Sequence, residues 1–271
     1  MTLSEATRIL REAGIDDARA EARLIFSEIG GIHPTLLVGG DPSSDSEAVS
    51  DAIRRRRERE PLQYILGEVG FYNERYFVSP DCLIPRSDTE CLVNCAAENL
   101  SDGEVFADLC TGSGCVGIST LRATRNTSCV AVDISEGALR LAKGNAEHNG
   151  VAHRFSVLRC DLMHDDPFGD STFDAIISNP PYIPKDVYLG LEKEIFFEPE
   201  EAFVGGEDGS VFYERLIPLS LSHLSEGGFI AFEIGYDQGD LLRRLGKRYA
   251  LDCRIIPDLG GRDRVALLRR K

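Results

Sequence analysis

The sequence predicts an α/β protein: an open, mostly parallel sheet whose last strand runs antiparallel, preceded by a small helical bundle and a β-hairpin linker. Three observations predict it. From residue 105 onward strand-like and helix-like segments alternate, which implies a parallel sheet. The first of those strands runs into a glycine turn, Gly112-x-Gly114-x-x-Gly117, that opens a helix, the Rossmann-like arrangement. Two strand-like runs, Leu251–Pro257 and 264–268, then close the chain with no helix between them, so the last strand must run antiparallel. The expected division is 1–66 for the bundle, 67–84 for the hairpin linker and 85–271 for the sheet domain.

In chain order, Leu3, Ala6, Ile9 and Leu10 repeat at helical spacing up to a stop at Gly14. A second stripe, Ala20, Leu24, Ile25 and Ile29, lies within 17–29 and ends at Gly30-Gly31. Residues 34–38 and 46–59 read as further helices around an Asp41-Pro42-Ser43-Ser44 loop. Arg54, Arg55, Arg56, Arg57 and Arg59 form one basic run, read as a solvated helix end, where cations suit the helix dipole. Aromatic residues flank an Asn73 turn in 71–78, the pattern of a hairpin. Ser87 or Asp88 is placed to cap a helix through Leu92, Val93 and Ala96. The sheet strands are expected at 105–110, 129–134, 155–161, 173–179 and 229–234, the last preceded by Gly227-Gly228. Helices are expected at 136–148, 210–224 and 238–249.

The chain has 271 residues, a length that as a prior means about two domains. Hydrophobic residues at 42% are ample for a core. A net charge of −15 argues against a broad nucleic-acid surface, so direct nucleic-acid binding is not expected. No apolar run is long enough to span a bilayer, and the opening residues do not read as a signal peptide; a cytoplasmic protein without membrane partners is expected. None of the 8 cysteines forms a C-x-x-C pair, so no metal site is expected, and reduced, buried thiols are.

The chemistry concentrates at Ser178-Asn179-Pro180-Pro181-Tyr182. Two prolines stop the preceding apolar strand, because proline has no N–H to give the ladder. An asparagine carboxamide, proline carbonyls and a tyrosine ring therefore sit at the carboxyl end of a strand, where open α/β sheets place ligands. The Asn179 side-chain oxygen and the Pro180 carbonyl can each accept one hydrogen of a planar NH₂ group, and the Tyr182 ring can pack on its flat face. Amide nitrogens are poor nucleophiles because their lone pair is delocalised. Two fixed acceptors favour the bent nitrogen whose lone pair can attack. The glycine turn together with Asp133 at the end of the second sheet strand fits an adenosine-containing ligand, with the acid accepting from ribose hydroxyls. NAD and S-adenosylmethionine both satisfy that pattern. The Asn179 cluster favours the methyl donor, and Asp108 before the turn suits a cationic ligand better than a pyrophosphate.

Nearly the whole chain resembles the protein-(glutamine-N5) methyltransferases that modify peptide chain release factors. The resemblance rests on Pro61-x-Gln63-Tyr64-Ile65-x-Gly67, Ile84-Pro85-Arg86-x-Asp88-Thr89-Glu90, Asp108-x-x-Thr111-Gly112-Ser113-Gly114 and Ser178-Asn179-Pro180-Pro181-Tyr182-Ile183. Further matches are Glu198-Pro199, Gly205-Gly206-x-Asp208-Gly209, Gly227-Gly228, Glu233-Ile234-Gly235 and Asp258-Leu259-x-Gly261-x-Asp263-Arg264. It implies a class I S-adenosylmethionine-dependent methyltransferase fold, and as substrate the glutamine of the Gly-Gly-Gln loop in class I release factors. It also implies that Cys110, Thr111, Gly112, Ser113 and Gly114 surround S-adenosylmethionine, that Asp133 binds its ribose and that Leu162 flanks its adenine. Asn179 then touches both cofactor and glutamine, residues Asn179, Pro180, Pro181 and Tyr182 hold the amide, and the bundle recognises the folded release factor. Cys110 departs from the family's usual glycine, Ser87 from a proline and Leu162 from a large aromatic. Two other functions use the same motifs: a DNA or RNA exocyclic-amine methyltransferase, which needs a basic groove, and a binding scaffold without turnover.

Overall fold

Thr2 begins the fold. In this computed structural model, which describes residues 1–271, its side chain accepts the Glu5 N–H at 3.2 Å while the Glu5 carboxylate accepts the Thr2 N–H at 2.8 Å. That reciprocal cap satisfies donors that the first helical turn leaves open, and α1 follows over Leu3–Glu12. α2 (Ala18–Leu24) continues into a π-helical turn, Ile25–Ile29, so the second stripe is present with a widened last turn. α3 (Pro34–Gly39), α4 (Glu47–Arg57) and α5 (Leu62–Leu66) complete the helical part. Leu3, Leu10, Ile25, Phe26, Val49 and Ile53 close its core. This compact unit comprises Met1–Val69 together with the short segment Glu192–Phe197.

The basic run is not wholly a solvated end. Arg54 and Arg57 are exposed, but Arg56 is only 6% exposed. Its guanidinium donates to Glu21 Oε1 at 3.2 Å, to the Glu60 carbonyl at 3.1 Å and to Glu194 Oε1 at 3.0 Å. Arg59 reaches Glu194 Oε2 at 2.7 Å. Arg54 and Arg57 share the solvent face, while helical spacing puts Arg56 on the buried face with Val49, Ala52 and Ile53, where three acceptors meet its fork. Removing one partner of a buried ion pair leaves the others unpaired at a cost of about 3 kcal/mol. Arg56→Ala is therefore expected to speed hydrogen exchange of the α4 amides by roughly two orders of magnitude, whereas Arg54→Ala leaves it within about threefold.

The second unit comprises Gly70–Leu191 and Glu198–Lys271. β1 (Glu68–Phe71) and β2 (Glu74–Phe77) form the hairpin, turning at Tyr72-Asn73. A 3₁₀ turn, Ser87–Thr89, leads into α6 (Glu90–Asn99). Neither Ser87 nor Asp88 caps this helix: the cap position is Thr89, with no side-chain cap bond. The 3₁₀ turn already gives the Glu90 N–H a carbonyl, and Asp88 pairs instead with Arg264 at 3.0 Å.

β3 (Val105–Leu109), α7 (Cys115–Ala123), β4 (Ser128–Asp133), α8 (Glu136–His148), β5 (Phe155–Arg159) and β6 (Phe173–Ser178) alternate as expected. After α9 (Lys185–Tyr188) come α10 (Val211–His223), β7 (Leu224–Glu233), α11 (Gly239–Arg248), β8 (Leu251–Pro257) and β9 (Asp263–Arg270). The seven-stranded order is β5-β4-β3-β6-β7-β9-β8, parallel except that β9 runs antiparallel between β7 and β8. β7 starts earlier than the glycine pair predicts. Gly227 and Gly228 lie inside it, at a register shift where Phe173 faces Leu224 but Ala175 faces Phe229. Glycines at a bulge, with Gly227 at φ 81°, mark an irregular strand rather than a strand's edge.

The crossovers leave β3 in opposite directions, toward β4 and β5 on one side and β6 and β7 on the other. That reversal opens a crevice at the carboxyl ends of β3 and β6. Leu109 faces Ser178 in the ladder, and the Ser178 hydroxyl donates to the Leu109 carbonyl at 2.6 Å. The glycine turn and the Asn179–Tyr182 segment therefore leave the sheet side by side.

Candidate active site

The crevice holds a cavity of about 200 Å³. Asp108, Cys110, Thr111, Gly112, Ser113, Asp133, Leu162 and Asn179 line it, which brings together residues from four separate strand ends. Gly114 does not line it. At φ 81° it makes the turn into α7, and a side chain there would meet Ile118 Cδ1 at 2.9 Å and the Ala142 Cβ at 3.1 Å. Only glycine lets α7 and α8 close behind the loop.

Each wall has a chemical character. Asp133 accepts the Gly112 N–H on Oδ2 at 2.8 Å and the Ser135 N–H on Oδ1 at 2.9 Å. Its carboxylate thus holds the loop and keeps lone pairs for further hydroxyls. Burial raises its pKa. Asp108 accepts the Thr111 hydroxyl at 2.6 Å and the Gly117 N–H at 3.0 Å, and burial pushes its pKa up to about 7. Two desolvated carboxylates on one cavity favour a cationic ligand. Ser113 Oγ is buried there with no partner, an open hydrogen-bonding position in the glycine loop. Cys110 stands at φ 56°. A side chain in that left-handed region costs about 1 kcal/mol, so a glycine would sit there without strain. Leu162 is 5% exposed and offers an apolar face, held in place as its carbonyl accepts from Arg215 at 2.8 Å. The thiols of Cys82, Cys110 and Cys115 are pushed up by burial and stay protonated. This donor set fits S-adenosylmethionine: acids for a cationic centre and ribose, an apolar wall for a purine, and an open hydroxyl at Ser113 in the glycine turn.

Asn179 also lines the cavity, and its Nδ2 donates to Thr89 Oγ1 at 3.2 Å. Pro181 also lines the cavity. Pro180 is buried outside it, and Tyr182 is half-buried with its hydroxyl donating to Glu233 Oε1 at 3.1 Å. Behind them, Gln238 donates to the Tyr182 carbonyl at 3.0 Å.

Several contributors had no assigned role in the sequence. Arg86 lines the cavity and pairs with the buried Glu198, whose Oε2 also accepts the Ile84 N–H at 2.8 Å. Thr89, Glu198 and Glu233 all lie in motifs visible in the sequence, but their partners come from distant stretches. Only the fold shows that they meet.

Known proteins share both parts of the chain. Residues 2–67 match the family model of the PrmC N-terminal domain, and residues 87–228 match that of the methyltransferase small domain. The release factor glutamine methyltransferase of Geobacter sulfurreducens is 36% identical over 262 residues, covering 94% of this chain and 91% of the relative. That of Clostridium botulinum is 34% identical over 277 residues, covering 99% and 98%. Among solved structures, the ribosomal protein L11 methylase of Lactobacillus delbrueckii subsp. bulgaricus superposes with a TM-score of 0.51 at 23% identity, over 72% of this chain and 84% of that one. That last likeness speaks for the fold.

Proposed function

Since this chain belongs to the release factor glutamine methyltransferases, we propose that it methylates N5 of the glutamine in the Gly-Gly-Gln loop of class I release factors, and that the β3–β6 crevice brings methyl donor and glutamine together. It is an S-adenosylmethionine-dependent methyltransferase. The observation that carries the reading is Asn179: its NH₂ end is engaged by Thr89 on the wall of an acid-lined cavity, which leaves its oxygen to accept a substrate N–H.

S-adenosylmethionine, when bound, supplies a methyl group on a positively charged sulfur. Asp133 and the Gly112–Ser113 turn would hold its ribose side, Leu162 its purine, and Asp108 would favour its positive charge. The Asn179 oxygen, on the cavity wall, takes an amide hydrogen of the incoming glutamine, while Pro180 and Tyr182, which do not line the cavity, fix the segment that carries it. That grip would leave the amide lone pair free to take the methyl group that the bound donor would supply, with the donor's thioether as leaving group. The resulting protonated amide is very acidic, so water takes the proton and no dedicated base is required. Positioning supplies most of the acceleration. The helical unit is proposed to recognise the body of the release factor.

No helix is long and apolar enough to cross a membrane. An exocyclic-amine acceptor on nucleic acid is disfavoured by the net charge of −15 and by the buried pairing of Arg56. A transfer assay with labelled methyl donor tests the reading, with a class I release factor, its Gly-Gly-Gln loop with glutamine changed to alanine, and nucleic acid as rival acceptors. Label is expected on the intact release factor alone. Label on the altered loop or on nucleic acid instead sinks the proposal. Asp133→Ala is expected to weaken S-adenosylmethionine binding by about 10- to 100-fold, since hydrogen bonds to a charged acceptor are worth about 1.5–3 kcal/mol. An unchanged calorimetric Kd removes Asp133 from that role.

A further inference from the structure

We propose that Arg215 and His223 of α10 are positioning residues for the methyl donor: they hold the loop between β5 and β6 so that Leu162 presents its apolar face to the purine. The inference rests on Leu162 being the purine wall of the cavity, and deepens that reading.

Residues 160–172 form neither helix nor strand, yet Cys160, Asp161, Leu162 and Met163 line the cavity. A wall built on an irregular connection is only as fixed as the contacts that tie it down. Within the loop, Asp161 closes one tight turn. Its carbonyl accepts the His164 and Asp165 N–H groups at 3.0 and 2.8 Å, and its Oδ1 accepts that of Met163 at 3.0 Å. Those bonds shape the turn without tying it to the rest of the domain. At the start of the loop, the Cys160 N–H donates to the Asp133 carbonyl at 3.0 Å. Leu162 and Phe168 also pack into the core, which draws the loop inward. Apolar burial is non-directional, so it does not set the angle of the wall.

α10 supplies the directional contacts. Phe212, Arg215 and His223 fall on one face of this helix, and Phe212 lines the same cavity. Arg215 donates from Nε to the Leu162 carbonyl at 2.8 Å and from Nη2 to the Asp165 carbonyl at 2.9 Å. Both bonds go to main-chain oxygens of one turn, and the planar fork fixes the spacing between them. The peptide gripped by Nε belongs to the residue whose side chain forms the wall, so rotating that peptide rotates the wall. At the other end of α10, the His223 ring nitrogens lie 2.9 Å from the Ser171 carbonyl oxygen and 2.8 Å from Asp166 Oδ2. Asp166 Oδ1 in turn accepts the Phe168 N–H at 3.0 Å, and the Phe168 and His223 rings meet edge-on at 5.2 Å. One rigid helix thus pins the loop at both ends.

A splint of this kind acts on donor affinity and leaves the chemical step alone. The hydrogen bonds of Arg215 and His223 all go to the loop, and none reaches the Asn179–Tyr182 segment. Without the splint the loop visits arrangements in which the wall is turned away. Apparent affinity then falls by the fraction that stays competent, so a competent fraction of about one tenth raises Kd about tenfold. Lysine at position 215 keeps the charge but is a point donor that does not span both carbonyls, and it recovers part of the loss.

The test uses the full chain and three probes: S-adenosylmethionine, S-adenosylhomocysteine and methylthioadenosine, the last of which keeps purine and ribose but lacks the amino-acid end. Arg215→Ala is expected to weaken all three by about 10-fold in calorimetry, and Arg215→Lys by about threefold. His223→Gln, which cannot span both acceptors, is expected to cost about threefold. In steady state, KM for S-adenosylmethionine rises in Arg215→Ala while kcat and KM for release factor stay within about twofold. A wild-type Kd in Arg215→Ala, a loss that spares methylthioadenosine, or a fall in kcat at saturating donor with Kd unchanged overturns the inference. A second readout needs no ligand: hydrogen exchange at residues 163–165 should speed by about 10-fold in Arg215→Ala, with the α8 amides unchanged. Unaltered exchange at 163–165 also overturns it. Leu162→Ala separates the premise from the inference. If it binds methylthioadenosine as wild type does, the purine wall itself is misplaced; if it weakens binding and Arg215→Ala does not, the splint alone fails. None of the binding measurements needs release factor, so they decide the inference even if the acceptor assignment falls.

Discussion

Asn179→Ala is expected to abolish methyl transfer to release factor, lowering the single-turnover rate by at least about 10³-fold. The expectation follows from what the side chain does. Its oxygen is an acceptor already oriented before substrate arrives, because Thr89 holds the other end of the amide. Removing one such pre-placed group costs about 10²–10³ in rate. Alanine also removes the means of aligning the nitrogen lone pair with the breaking bond, and misalignment of about 1 Å costs a further 10²-fold. Cofactor binding should change far less. Asn179 forms part of one wall, and the ribose and purine walls come from Gly112, Asp133 and Leu162. A calorimetric Kd within about tenfold of wild type, alongside a lost rate, separates catalysis from binding. Transfer within a few-fold of the wild-type rate removes Asn179 from the chemistry. Asn179→Asp is informative beside it. The carboxylate keeps acceptors but loses the NH₂ that Thr89 receives, so it should fall between wild type and alanine.

The parts of this site that were legible in the sequence are those built from local chain. A strand entering glycines, and a strand stopped by two prolines, can each be read within ten residues. The positions of Asp108, Gly112, Asp133 and Asn179 in one crevice follow from them once the sheet is parallel and reverses at β3. What could not be read is pairing across distance. Glu233 was visible only as part of a short motif; that it meets Tyr182 depends on β7 lying beside β6. Local rules also misplace features where a second element competes. Ser87 and Asp88 have capping side chains, but the 3₁₀ turn satisfies the helix start and Arg264 claims Asp88. Arg56 sits in a run of exposed cations, yet helical rotation brings it to Glu21 and Glu194. In each case composition indicates a residue's preference, and the fold decides which partner satisfies it.

Pairing across distance also gives the glycine motif at residues 205–209 a role, and with it the second large prediction. Gly209→Ala should reduce methyl transfer by more than about 100-fold although it touches neither cofactor nor substrate. Gly209 is at φ 76°, and an added Cβ would clash with the Tyr182 carbonyl oxygen and approach Gln238 Nε2 to 2.8 Å. Gly205 backs the same turn: a Cβ there would lie 2.6 Å from the Pro181 carbonyl oxygen and 2.8 Å from the Tyr182 Cα. The Tyr182 and Pro181 obstacles are backbone, so no rotamer change relieves them. Gln238 further pins the Tyr182 carbonyl, and Ile183 and Gly205 share a main-chain hydrogen bond at 2.9 Å. The loop is therefore the mould against which Pro181 and Tyr182 are set. Pushing it displaces the groups that hold the amide, and a shift of about 1 Å is enough for the stated loss. The left-handed backbone adds about 1–2 kcal/mol of destabilisation. Gly144→Ala is the contrasting substitution, since nothing lies within 4 Å of its added methyl and it sits inside α8. There the change should leave transfer unaffected and stabilise by up to about 1 kcal/mol. A Gly209→Ala enzyme that melts cooperatively, binds S-adenosylmethionine normally and still transfers at the wild-type rate shows that the segment from Asn179 to Tyr182 is set by something other than this backing loop.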